Sequence, residues 1–243
     1  MTILETKNLI KAFEGVRAVD DLSLAVNKGQ IISIIGPNGS GKSTLVNVLS
    51  GMLAIDGGVV LVGGNKLEKI IPYEVPGLGL TRTFQEVRLF EQMTVLDNIV
   101  VVLTERDVFE SLFEQHTGEH LKKAESVLKV VGLLEKKDAL ARNLSYGQRK
   151  LLEVARVLAM DSDVILLDEP FAGLFKEMIK VVVGIIKEMK SEGKTIILIE
   201  HNMDLIRELS DYVFVMDSGQ LLAEGKPEEV LAKPEVIEAY LGQ

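Results

Sequence analysis

The feature that most constrains this chain is the segment 36–43, which fits the phosphate-binding loop template G-x-x-x-x-G-K-[ST]. The apolar run 31–35 before it predicts a buried β-strand, and 44–49 after it predicts the first turns of a helix. In that order, several backbone N–H groups point into one concavity at the positive end of the helix dipole. The sequence therefore predicts a strand–loop–helix unit that binds a nucleoside triphosphate.

Individual residue types in this loop suit separate parts of phosphate binding. Glycines allow the backbone to approach the phosphates, Lys42 can reach the β- and γ-phosphates, and the Ser43 hydroxyl can ligate Mg²⁺. The alternative is a glycine-rich turn with an exposed lysine, but the filled template in this context favours the phosphate site. The predicted ATP-binding residues of the loop are Gly36, Pro37, Asn38, Gly39, Ser40, Gly41, Lys42, Ser43 and Thr44.

Composition excludes several classes of function. A formal net charge of -9 over 243 residues argues against a nucleic-acid-binding surface and against adsorption to anionic lipid. The chain has no cysteine, which excludes disulfides and thiolate metal sites. Its charged start is unlike a signal peptide, and no apolar run approaches the ~20 residues of a membrane-spanning helix. We therefore expect a cytoplasmic protein that reaches a membrane only through a partner.

The periodicity of the apolar residues changes twice along the chain. Short β-like stretches come first, helical periodicity runs from about 93 to 160, and buried strands then return with a helix, 177–190, between two of them. The predicted strands are 4–10, 22–26, 56–64, 164–167 and 195–199, followed by a hairpin of 213–216 with 220–223. This order predicts an α/β fold: a phosphate-loop NTPase core with a mainly parallel sheet, an N-terminal antiparallel β subdomain and a helical insertion.

We predict one domain, 1–243, with three parts. The nucleotide-binding core with its antiparallel β subdomain comprises 1–92 and 161–225, the helical subdomain comprises 93–160, and a helical tail comprises 226–243.

Two acids end the apolar strand that begins at Val164. Beside a phosphate loop, Asp168 is suited to hold Mg²⁺, directly or through water, and Glu169 to polarise the attacking water as a general base. Acidic pairs also occur as plain strand caps, but the phosphate loop earlier in the chain favours the catalytic interpretation.

A third segment, Leu144-Ser145-Tyr146-Gly147-Gln148, precedes a strong helical pattern. Ser145 is a natural N-cap, and Gly147 leaves backbone groups accessible. The segment is compatible with a simple capped helix, or with a second anion site for a γ-phosphate held by another subunit.

This last segment resembles the signature sequence LSGGQ of ABC-type ATPases. Three further residues follow the order of that family's motifs: Phe13, Gln85 and His201. The resemblance covers nearly the whole chain, and it implies that Phe13 stacks on adenine, that Gln85 touches Mg²⁺ or the water, and that His201 is the switch histidine.

A member of this family hydrolyses ATP with Mg²⁺. The resemblance implies Glu169, His201 and Gln85 as catalytic residues and Ser43, Gln85 and Asp168 around the metal. It also implies a second ABC ATPase subunit, the same or different, whose ATP contacts the signature segment. Two transmembrane permease subunits would bind near 86–104, and an extracytoplasmic solute-binding protein would act indirectly, so the chain would lie at the cytoplasmic side of the membrane as a peripheral subunit.

Two stretches narrow the resemblance to the ATPases of branched-chain amino-acid importers. These are 82–90 with 93–95, and the tail 234–242; the Tyr146 variant of the signature also occurs in that group. One position departs from the family, because Phe175 stands where an Asp or Asn usually contacts the partner subunit. Either Phe175 meets a different partner subunit, or it packs against its own helix from Glu177 onward.

Other members of the phosphate-loop class fit less well. A DNA-maintenance ATPase needs long coiled-coil or zinc-bearing insertions, a translation-associated ABC protein carries two cassettes, and a small-molecule kinase has no use for the signature segment. Within transporters, the ATPase of a lipopolysaccharide or other lipid exporter, or of an amide or urea importer, stays open.

Overall fold

The computed structural model describes residues 1–67, 69–103 and 118–241, and its contacts divide the chain into two compact units. The first unit comprises residues 1–82, 163–169 and those from 187 onward, and the second comprises 83–162 and 170–186. Part of the predicted helical subdomain 93–160, the last residue of the permease-facing stretch 86–104, and the end of the tail 226–243 lie outside the described residues.

Ten strands and eight helices are assigned in the described part of the chain. The strands are β1 (Thr2–Phe13), β2 (Val16–Asn27), β3 (Ile31–Ile35), β4 (Gly57–Val62), β5 (Asn65–Leu67), β6 (Leu80–Arg82), β7 (Val164–Asp168), β8 (Thr195–Ile199), β9 (Tyr212–Asp217) and β10 (Gln220–Gly225). The helices are α1 (Lys42–Leu49), α2 (Val95–Leu103), α3 (Gly118–Val130), α4 (Tyr146–Met160), α5 (Lys176–Ser191), α6 (Met203–Leu209), α7 (Pro227–Val230) and α8 (Pro234–Leu241).

The described residues of the first unit form two sheets. One is antiparallel, in the order β2-β1-β4-β5, and the other has the order β10-β9-β3-β8-β7-β6, in which only β10 runs antiparallel to its neighbour. Every residue of β3, β7 and β8 is buried, as expected of central parallel strands covered on both faces. The predicted fold class, with its mainly parallel sheet and antiparallel subdomain, is confirmed.

This topology explains where functional residues gather in the first unit. Because β3, β7 and β8 are parallel neighbours, their carboxyl ends lie at the same edge of the sheet. Ligands of open α/β sheets bind at such an edge. The loop after β3, the acids at the end of β7 and the histidine after β8 therefore come together.

Among the described residues, two apolar clusters pack elements of the first unit together. The larger packs α1, through Leu45 and Leu49, against residues of both sheets. The smaller joins Ile35, at the end of β3, to Val230 and Val236 of the C-terminal helices. Apolar packing therefore holds the chain on both sides of the phosphate loop, at the end of β3 and in α1.

The second unit is built mainly from helices α2, α3 and α4. Ile99, Leu128 and Leu152, one from each helix, are fully buried. Within the described ranges, no helix combines the length and the apolar composition needed to cross a membrane.

Candidate nucleotide site

Two glycines determine the path of the phosphate loop. Gly36 has φ +150°, and a Cβ there would lie 2.1 Å from the Met216 carbonyl oxygen. Gly41, with φ +98°, would place a Cβ 2.1 Å from the Ala18 carbonyl oxygen. Both positions need glycine, because backbone from other strands approaches the loop closely. The loop is therefore held from outside as well as by its own sequence.

Lys42, the first residue of α1, carries its charge inside the loop. Its Nζ donates to the carbonyl oxygens of Gly36 and Pro37, each at 2.8 Å. Burial lowers the pKa of Lys42, while the nearby charges of Glu169 and Asp168 raise it. The ammonium group is thus a cation held by uncharged oxygens, which an anionic phosphate can outcompete as a partner.

The end of β7 brings the second predicted acid, Glu169, to His201, the predicted switch histidine. The amide of Glu169 donates to the Ile199 carbonyl at 2.9 Å, and Glu169 Oε1 lies 3.1 Å from His201 Nε2. Glu169 has φ +48°, a conformation that costs energy for a residue other than glycine and that clusters at functional sites. Strand pairing and an unusual turn therefore place the acid and the imidazole in contact.

Arg82, at the end of β6, is a site residue that sequence reasoning missed. Its Nη2 donates to Asp168 Oδ2 at 3.2 Å, and its Nη1 donates to Asn47 Oδ1 at 2.8 Å and to Ser50 Oγ at 2.7 Å. The side chains of Arg82 and Asp168 are only 8% and 5% exposed. Arg82 therefore orients Asp168 and ties it to the end of α1.

Glu200 is a second missed residue and shapes the turn that carries His201. Its Oε1 accepts hydrogen bonds from the amides of His201 and Asn202, at 3.1 and 3.2 Å. Burial raises the pKa of Glu200, against the opposing effect of these two amides. Asn202 then caps α6 by accepting from the amides of Asp204 and Leu205, so His201 sits between a buried strand and a capped helix.

The C-terminal tail reaches the start of the phosphate loop through Tyr240. The Tyr240 ring packs against the cluster that contains Ile35, and its hydroxyl is buried. Burial raises the pKa of Tyr240 to about 12. This tail narrowed the family resemblance, but its packing near the phosphate loop was not predicted from the sequence.

Phe13, the predicted adenine platform, lies at the end of β1 with its ring 44% exposed. Lys11 Nζ lies 5.4 Å from the ring centroid and 2.9 Å from Asp56 Oδ1, and Asp56 also accepts from the Ala12 amide at 2.8 Å. These contacts steady an aromatic ring that remains accessible for stacking.

In the second unit, the signature segment forms the start of α4. Ser145 Oγ accepts from the Gln148 amide at 3.3 Å, and Gln148 Oε1 accepts from the Ser145 amide at 3.1 Å, which is a capping box. A Cβ on Gly147 would lie 2.6 Å from Met178 Sδ. Ser145 and Gln148 thus form a complete capping box, as the capped-helix interpretation expects. The outer face of the segment remains accessible, since Tyr146 is 48% exposed.

Gly173 lies against the ring of Tyr146, and Phe175, the residue that departs from the family pattern, follows it two positions later. A Cβ on Gly173 would lie 2.6 Å from Tyr146 Cε1, so the tyrosine ring fills the space that a glycine leaves. Phe175 is 74% exposed. Most of its surface is therefore not covered by the helix that begins after it.

Gln85 belongs to the second unit, where its side chain is exposed and its carbonyl oxygen accepts from Lys150 Nζ at 3.1 Å. The first unit brings together Lys42, Asp168, Glu169 and His201.

Oxygen donors in the first unit suit Mg²⁺. This ion is usually held by one or two protein oxygens together with nucleotide phosphates and water. The exposed Ser43 and the carboxylate of Asp168 are donors of that kind. Among the residues that the structure describes, no three His, Cys, Asp or Glu side chains form a cluster suited to a metal ion.

Comparison with known proteins agrees with this geometry. The ABC transporter family model matches residues 19–172, and a model described as branched-chain amino acid ATP-binding cassette transporter matches 220–243. The probable branched-chain amino acid transport ATP-binding protein LivG of Archaeoglobus fulgidus is 39% identical over 249 residues, which cover 100% of this chain and 96% of that protein.

Solved structures extend the similarity to the whole fold. The ADP conformation of an ATP-binding cassette of an ABC transporter has a TM-score of 0.86 and 37% identity, covering 100% of both chains. A dimeric post-hydrolysis cassette bound to ADP and Pi has a TM-score of 0.82 and 25% identity, covering 93% of this chain and 99% of that one.

Proposed function

This chain belongs to the ABC transporter family of ATP-binding cassettes, and we propose that it is the ATP-hydrolysing subunit of an importer for branched-chain or related amino acids. The observation that carries the ATPase part is the grouping of Lys42 and the contacting pair Glu169–His201 at one edge of the parallel sheet. The relative's name and the match of the tail support the choice of solute.

The residues of the first unit divide the work of hydrolysis. The loop amides and Lys42 bind the β- and γ-phosphates, and Phe13 stacks on adenine. Ser43 and Asp168 would hold Mg²⁺, which would supply positive charge to the phosphates, and Gln85 of the second unit would touch the ion or the attacking water. Glu169 takes a proton from the attacking water, and His201, whose Nε2 lies 3.1 Å from Glu169 Oε1, donates to the γ-phosphate when ATP is bound.

The second unit serves the ATP of another subunit. Leu144, Ser145, Tyr146, Gly147 and Gln148 lead into α4. Leu144 and Gly147 are buried, so the exposed Ser145 and Tyr146 are the residues suited to contact a γ-phosphate held across a head-to-tail dimer. The exposed ring of Phe175 offers an apolar contact to that partner, which is either a second copy or a different ATPase. Two permease subunits bind around residues 86–104, and a solute-binding protein acts through them, so the chain works at the cytoplasmic side of the membrane.

Uptake measurements test the proposal directly. Cells that lack the gene should lose uptake of radiolabelled leucine, and wild-type protein should restore it, whereas Glu169→Gln should not. Normal leucine uptake in the deletion strain, with loss of urea or short-chain amide uptake instead, would reassign the solute. Restoration of leucine uptake by Glu169→Gln would contradict the role of Glu169.

A further inference from the structure

The stretch that carries Gln85 is held in place by helix α4 rather than by secondary structure of its own. After β6, residues 84–90 form neither helix nor strand. Buried backbone polar groups in such a stretch need other partners. The first is Lys150, whose Nζ donates to the Gln85 carbonyl oxygen at 3.1 Å while its side chain is 1% exposed.

Glu153, one turn further along α4, supports the residue before Gln85. Its Oε1 accepts from the Phe84 amide at 2.9 Å, and the side chain is buried. Burial raises the pKa of Glu153, while the amides of Phe84 and Arg88 and the charge of Lys150 lower it. The buried Glu153 carboxylate therefore has main-chain amides as hydrogen-bond donors.

Arg156, a further turn along, holds the far part of the stretch. Its Nη1 donates to the Arg88 carbonyl oxygen at 2.5 Å, and its guanidinium carbon lies 5.3 Å from the centre of the Phe90 ring. Arg88 in turn stacks over the Phe84 ring at 4.2 Å. The stretch is therefore folded back on itself as well as fastened to the helix.

Lys150, Glu153 and Arg156, which we name the α4 clamp, are spaced three residues apart, so they share one face of the helix. Buried charges are costly, and apolar residues at such positions often give equal or greater stability. Unlike apolar residues, these three side chains form directional hydrogen bonds to the main chain of 84–90. The same helix begins at the Ser145 cap.

We propose that the α4 clamp consists of positioning residues that fix the Gln85 backbone to the helix carrying the signature segment. Gln85 and Ser145, which both belong to the second unit, are then held in one body. The exposed Gln85 side chain stays accessible while its carbonyl is held. The inference rests on the proposed roles of Gln85 and the signature segment.

Three variants of the full chain test the clamp. Lys150→Met removes the donor at similar length, Lys150→Arg keeps a donor, and Lys129→Met is the matched control on the exposed side of α3. Hydrogen exchange of peptides covering 84–90 is measured without nucleotide, together with nucleotide Kd, ATPase kcat and KM, and thermal stability. Activity is measured well below each variant's melting temperature.

We expect Lys150→Met to accelerate exchange in 84–90 and to lower kcat by about 10- to 100-fold, because a misplacement of ~1 Å can cost ~10²-fold in rate. Nucleotide Kd should stay unchanged, because the phosphate loop belongs to the first unit. Lys150→Arg should recover much of both properties, and Lys129→Met should match the wild type.

Unchanged exchange in 84–90, or a lower melting temperature with an unchanged kcat, would overturn the inference, since either result leaves Lys150 with a packing role alone. If Lys150→Met does not fold, Arg156→Met, at a partly exposed position, carries the same test with the same two outcomes. Failure of the proposed function is separate, because it appears as absent hydrolysis by the wild type, while hydrogen exchange still decides whether the clamp exists.

Discussion

The phosphate-loop region of the first unit and the signature region of the second unit differ in how far their functional side chains are buried. In the first, Lys42 and Asp168 are buried and have partners inside the chain. In the second, Ser145 is satisfied by its own cap, but Tyr146 and Phe175 present aromatic rings to the surface. A site whose side chains have partners within the chain is already organised before its ligand binds. Exposed aromatic rings, in contrast, are typical of a surface that binds another protein.

This difference gives a general expectation. Changes in the first region should alter nucleotide binding, catalysis or stability in the isolated chain. Changes in the second should leave nucleotide binding by one chain intact and act where two cassettes meet.

Glu169→Gln should have the largest effect and should keep ATP binding. The amide preserves the shape of the side chain but loses the base, and positioned proton transfer is typically worth ~10²–10⁴-fold in rate. Steady-state phosphate release measures kcat, with Glu192→Gln, an exposed position, as the matched control. Turnover near the wild-type value would assign the base to another group.

Arg82→Met should destabilise the first unit strongly, because it removes the guanidinium group that pairs with the buried Asp168 carboxylate. Removing one partner of a buried pair costs about 3–5 kcal/mol. Urea denaturation measures the free energy of unfolding, and Arg207→Met, at an exposed site, serves as the control. A loss no greater than that of the control would show that Asp168 does not depend on Arg82.

Lys42→Ala should weaken ATP binding by the isolated chain about 10- to 100-fold, since hydrogen bonds to charged groups contribute about 1.5–3 kcal/mol. Titration with a fluorescent ATP analogue gives the Kd. Lys129→Ala in the second unit should leave it unchanged. Equal affinities for Lys42→Ala and wild type would contradict the assignment of the loop.

Ser145→Ala tests the second region. Loss of an N-cap costs about 0.5–2 kcal/mol of stability, and we expect ATP binding by one chain to be unaffected while hydrolysis falls. Comparing Kd and kcat in one preparation separates the two effects. A weakened Kd in the isolated chain would break the contrast between the regions.

Phe175→Asn should have the smallest effect on stability, within about 0.5 kcal/mol, as expected of a surface substitution. If Phe175 faces a different partner subunit, restoring a polar residue should raise the turnover of the homodimer. ATPase assays at increasing protein concentration measure this. A clear drop in melting temperature would mean that the ring packs within its own chain after all.

Local patterns predicted much of the first unit because its central strands are continuous apolar runs between turn signals. The strands β3, β7 and β8 lie where the sequence predicts them, at 31–35, 164–167 and 195–199. The strand β6 was missed because three residues, Leu80–Arg82, are too few to show a period of two. The strand β5, also three residues long, was missed for the same reason. The helix α6 was missed because seven residues make only about two turns, too few to show a helical period.

What the sequence by itself determined is the chemistry that depends on neighbours in the chain. The phosphate loop, the acids after β7 and the Ser145 cap each rest on residue types a few positions apart, so their spacing suffices to recognise them. Only the tertiary structure decided the long-range partners. Arg82 meets Asp168 across 86 positions, Lys150 meets Gln85 across 65, and the Tyr240 ring packs against the cluster that contains Ile35. These contacts depend on strand order and helix packing, which bring distant side chains together and leave no periodic trace along the chain.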